Sequence, residues 1–108
     1  MTNLFLTEGV LIGDGPVEFT GARGSDIRIP CNAVGTPAPD VLWIYGGGVL
    51  AIDGIKYDQG VDNSLTVREV TPNDVGDYVC IAQNVISSAS KTLTLKIKGD
   101  MCNSCVRS

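Results

Sequence analysis

The side chains that could carry chemistry in this 108-residue chain are four cysteines and a scatter of carboxylates, and histidine is absent. Without histidine the chain lacks the usual general base, the commonest metal ligand and the side chain that titrates near neutral pH. No serine or cysteine can be given an imidazole partner, so the residues support no catalytic centre and require no cofactor. Cys102-Asn103-Ser104-Cys105 is a lone CxxC. A redox pair of that spacing normally opens a helix, and a zinc site needs two further ligands. Neither context surrounds it, so it reads as a linker or chain-end feature, with an interchain disulfide as the functional alternative. Asp53, Asp58 and Asp62 carry the right atoms for calcium. Their spacing is not that of an EF-hand loop, which places ligands at alternate positions and a glutamate at the twelfth, and they read as solvated loop carboxylates. Gly46-Gly47-Gly48 lies between two strand-like runs and reads as a turn rather than a phosphate loop.

Composition narrows the partners. The net charge is −4, both signs are spread along the chain, and no Lys/Arg-rich run occurs. Nucleic acid and anionic membrane are therefore not expected as partners. No apolar stretch has membrane-spanning length, so this domain is not expected to insert into a bilayer. The first residues lack the charged, apolar and cleavage regions of a signal peptide. Met1-Thr2 reads as an expression start on an excised module, which leaves the native compartment open. No Asn-x-Ser/Thr acceptor for N-glycosylation is present.

The elements that must position these side chains are short and alternating, separated by turn residues, as in an all-β sandwich. Edge pieces are expected over 4–10 and 16–19, and a turn over 21–25. Strands are expected over 26–33, 41–45, 49–52, near Lys56-Tyr57, and over 64–69, 78–83 and 89–98. Pro30 donates no backbone hydrogen bond, so a weakness or bulge is expected there. At this length the chain is one domain, spanning 1–99 with its core over 16–98. Residues 100–108 read as a flexible tail or linker remnant.

Cys31, Trp43 and Cys80, with the run Asp74-Val75-Gly76-Asp77-Tyr78-Val79-Cys80, resemble an immunoglobulin domain of the intermediate, or I-set, type. Gly35-Thr36-Pro37-Ala38-Pro39 resembles the B–C loop common in that family. The interval from Cys31 to Cys80 is too short for both extra strands of a variable-type domain and fits an I-set or C2-like Greek-key sandwich. The resemblance implies a Cys31–Cys80 bridge between the sheets and, with it, an oxidising compartment. Two buried free thiols, as in cytosolic muscle members of the family, are the alternative. It also implies Trp43 packed on the bridge, Leu65 inward, and a Tyr78 hydroxyl bonded to backbone near Asp74 or Val75. Asp74 is expected to pair with Lys56, where the family often carries arginine. Lys98-Gly99-Asp100 resembles tripeptides read by integrins, but it falls where the last strand ends and is read as linker.

With Cys31, Trp43 and Cys80 inward, alternate positions face water. The B and E strands then show Asp26, Arg28, Asn32, Thr66 and Arg68, an ordinary wet face. The C and F strands show Leu42, Ile44, Val79 and Ile81. An apolar cluster facing water suggests a binding surface. The competing reading is that long neighbours such as Lys96 lie over it. The resemblance and this face together imply a non-catalytic recognition module of an extracellular, cell-surface or secreted protein. It would bind a protein partner or a second copy through its C–F–G face. The alternatives are a cytosolic structural module of a muscle or cytoskeletal filament, and a soluble binder of a growth factor or peptide hormone.

Overall fold

A computed structural model describes residues 8–98 of the chain. Among the described residues ten strands follow one another: β1 (Glu8–Ile12), β2 (Glu18–Ala22), β3 (Ile27–Ile29), β4 (Ala33–Thr36), β5 (Asp40–Tyr45), β6 (Gly48–Val49), β7 (Tyr57–Gln59), β8 (Leu65–Val67), β9 (Gly76–Gln83) and β10 (Ser88–Lys98). The larger sheet has the order β2-β10-β9-β5-β6. Opposite it lie the three-stranded sheet β3-β8-β7 and the β1-β4 ribbon. All pairings are antiparallel except β2 with β10, which is parallel. This is an immunoglobulin-like β-sandwich. In the family's lettering, β3 and β4 form strand B, β5 is C, β6 is C′, β7 is D, β8 is E, β9 is F and β10 is G.

The strands are those the alternation predicts, with shifted ends. Strand B is interrupted where Pro30 cannot donate, Asn32 takes a positive φ of 57°, and the strand resumes as β4 as far as Thr36. The first half of the expected B–C loop is therefore strand, because β1 pairs with it at Glu8↔Thr36 and Leu11↔Val34. The expected C′ strand shrinks to two residues. Gly46 and Gly47 both take positive φ, making a two-residue turn that registers Tyr45 with Gly48 and Ile44 with Val49. The D strand starts at Tyr57, one residue later than expected. The remaining parts of the expected 4–10 strand, Gly99 and Asp100 of the Lys98-Gly99-Asp100 run, Cys102, Cys105 and the 100–108 tail lie outside the described residues.

The core fills the space between the sheets. Ile29, Cys31, Trp43, Leu65, Val67, Val70, Tyr78, Cys80, Ala82, Leu93 and Leu95 are all buried. Inward positions alternate along β9, where Tyr78, Cys80 and Ala82 are buried and Val79 and Ile81 are not. Cys31 and Cys80 form the inter-sheet bridge with their Cα atoms 6.1 Å apart, a separation usual for a disulfide. Closing a loop of this length stabilises by about 4 kcal/mol in the chain-entropy account. Trp43 is the cross-strand partner of Cys80, which sets the indole beside the bridge. Its Nε1–H donates to the Asn63 carbonyl at 2.9 Å, so the buried ring leaves no polar atom unpaired.

Candidate functional site

The register of β5 on β9 places Leu42 opposite Ile81 and Ile44 opposite Val79. The four side chains point away from the core and form one square on the outer face of the larger sheet. Leu42 is 52% exposed, and Ile44, Val79 and Ile81 are half-buried. Val49 on β6 extends the square, because it is the cross-strand partner of Ile44 and is 62% exposed. Residue-by-residue alternation missed Val49. Counting back across the Gly46-Gly47 turn would have found it, since a two-residue loop sets the partners on either side.

Among the described residues, β10 lays no long side chain over this strip. On β10 the neighbours of Ile81 and Val79 are Ser90 and Thr92, which are short. Lys96 does not lie over it. It sits several positions farther along β10, and its Nζ reaches Glu18 Oε2 on β2 at 3.3 Å.

The opposite sheet satisfies its own charges. Arg28 pairs with Asp62 and its Nε–H donates to Ser64 Oγ at 3.0 Å. Arg68 lies between Asp26 at 3.3 Å and Asp58 at 2.9 Å. Two hydrogen bonds from Ser64, with Arg28 adding to them, hold the Asp62 carboxyl down at about 2. Asp53 lies elsewhere and is also held below its usual value, by the backbone N–H groups of Ile55, Tyr57 and Lys56. The three candidate calcium ligands thus take separate protein partners and do not converge. Among the described residues, no three His, Cys, Asp or Glu side chains gather as a metal site. A cavity of about 320 Å³ lined by Ile55, Lys56, Arg68, Glu69 and Thr71 holds no nucleophile–base pair, and both of its cations are engaged elsewhere.

The strip is held by a stiff corner beneath it. The Tyr78 hydroxyl donates to the Asp74 carbonyl at 2.6 Å, and burial pushes its pKa far up. Tyr45, at the end of β5, stacks on Tyr78 with centroids 4.2 Å apart. Its hydroxyl lies 2.6 Å from the Val75 carbonyl and 3.0 Å from that of Asn73. Asp74 caps the 3₁₀ turn Pro72–Asp74, accepting from the Thr71 N–H, and pairs with Lys56 at 2.6 Å. The lysine compensates for the missing guanidinium fork with its other donors, which reach the Arg68 and Glu69 carbonyls.

The profile of the immunoglobulin I-set domain matches residues 12–97. The chain belongs to the immunoglobulin I-set family. This I-set domain is 34% identical to Homo sapiens hemicentin-1 over 84 residues, covering 78% of the chain and 2% of that protein. It is 34% identical to Gallus gallus neurofascin over 76 residues, covering 70% of the chain and 6% of that protein. The domain thus spans a small fraction of the length of these relatives. Among solved structures it resembles one from the complex of titin M10 with the obscurin-like 1 Ig domain. The TM-score is 0.75 at 25% identity, covering 83% of this chain and 94% of that one. Relatives are mostly extracellular or cell-surface proteins, with intracellular titin-like ones as well. I-set domains are typically non-catalytic binding modules.

Proposed function

We propose that this I-set domain is a recognition module of an extracellular or cell-surface protein, acting by contact through the outer face of β5, β9 and β10. The observation that carries the reading is the uncovered strip of Leu42, Ile44, Val79 and Ile81, widened by Val49. A sheet face normally turns polar side chains to water, as the opposite sheet does here. Each strip side chain fully buried by a partner would contribute about 1.5–3 kcal/mol. After the cost of association, that supports a weak or moderate interface. The buried Cys31–Cys80 bridge supports the extracellular setting, and thiol titration of native material separates it from an intracellular filament module. The titin M10 complex supports docking of one such domain on another.

The experiment is a paired variant comparison with immobilised domain and extracellular extract. Leu42→Arg and Ile81→Asp should lose bound protein, while Arg28→Glu and Thr66→Asp on the opposite sheet retain it. The reverse pattern would overturn the proposal.

A further inference from the structure

The strip is bracketed by carboxylates. Asp40, at the start of β5, is exposed and pairs through its backbone with Gln83 at one end of the strip. Asp77 lies on β9 at the other end, exposed, and accepts from the Thr94 hydroxyl at 2.7 Å. Both project from the same face as Leu42 and Val79. They stand six strand positions apart, about 20 Å at the usual rise per residue. No cation among the described residues answers either one. Lys96 is engaged by Glu18, the Lys91 amine is turned to the Gly13 carbonyl, and Lys98 lies farther along β10, beside Ala22.

This arrangement selects against a second copy of the chain docked with its strands aligned along these. A two-fold axis that lays the strip on itself face to face must lie in the interface plane. An axis running across the strands, midway along the strip, superposes Leu42 on Ile44 and Ile81 on Val79, and sets Asp40 one strand away from the partner copy's Asp77. An axis running along the strands superposes Leu42 on Ile81, and sets each Asp40 and each Asp77 one strand away from its own copy. Either apolar match brings carboxylates together as the face loses water, which discriminates against that pairing.

Building on the docking role proposed above, we infer that the strip takes a foreign protein surface: an apolar strip flanked at both ends by lysine or arginine, about 20 Å apart. On a strand that separation is about six residues, and on a helix about thirteen.

The test uses two synthetic helical peptides that share one Leu/Ile face and carry either lysines or glutamates at both ends, titrated against the whole chain at low salt. The lysine-ended probe should bind at least ten times tighter than the glutamate-ended one. That preference should shrink as salt rises and invert in the Asp40→Lys/Asp77→Lys variant. In sedimentation the wild-type domain should stay monomeric, whereas Asp40→Asn/Asp77→Asn should gain self-association. Wild-type dimerisation through the strip overturns the inference, as does equal binding of the probes, no binding of either, or a preference that survives the charge swap. Leu42→Arg separates the two claims. If it abolishes binding of two probes that bound equally, the docking face stands and only the charge rule fails. If both probes bind Leu42→Arg as they bind wild type, the docking face fails with it.

Discussion

Lys56 ties its own segment to two others, because its amine meets Asp74 and the adjacent Arg68 and Glu69 carbonyls. Asp74 is only 6% exposed, so removing the lysine leaves a buried carboxylate with only Thr71 as donor. Lys56→Met should destabilise the domain by about 1–3 kcal/mol in urea unfolding, discounted from a fully buried pair because the lysine is partly exposed. Lys56→Arg should stay within about 1 kcal/mol of wild type. Asp62 sets an acid limb of the stability curve. Its folded pKa, about 2, lies below the ordinary aspartate value of 3.8. A depressed carboxylate contributes stability above its unfolded pKa and loses it as pH falls through the folded value. Stability should therefore decline between about pH 4 and pH 2, and Asp62→Asn should flatten that decline in thermal melts at stepped pH. Removal of the bridge as Cys31→Ala/Cys80→Ala should cost about 2–5 kcal/mol, read as a lower urea midpoint.

At the scale of elements, β9 and its corner decide how the face is held. Gly76 opens β9 at φ +131°, and a Cβ there would meet the Tyr45 ring at 3.3 Å. Gly76→Ala should destabilise by about 1–3 kcal/mol from backbone strain, with near-ultraviolet circular dichroism reporting a disturbed Tyr45–Tyr78 stack. The inward and outward sides of β5, β8, β9 and β10 were legible in the sequence because their side chains alternate strictly around Trp43, Leu65 and Cys80. The break at Pro30 was legible because proline lacks the donor that a ladder needs. The ends were not. Whether β4 runs on to Thr36 depends on β1 crossing to pair with it, a tertiary choice that local pattern does not encode. Likewise, alternation placed Leu42, Ile44, Val79 and Ile81 outward, but their contiguity with Val49 follows from register across two hairpins. That Lys96 does not cover the strip follows from its pairing with Glu18.

At the scale of the whole molecule, one face is wet and ion-paired and the other carries an apolar strip. The bridge, Trp43 and the Tyr78 corner tie the larger sheet together beneath that face, so a partner docking there as proposed would meet a preformed surface at little ordering cost. The most direct test is photo-crosslinking on the folded chain, with a photoreactive residue replacing Val49 at the edge of the strip or Thr66 on the opposite sheet, each exposed to the same extracellular extract. The account predicts a discrete adduct from position 49 that disappears when Leu42→Arg is added, and none from position 66. Adducts of equal yield from both positions, or a discrete adduct from position 66 alone, would contradict it.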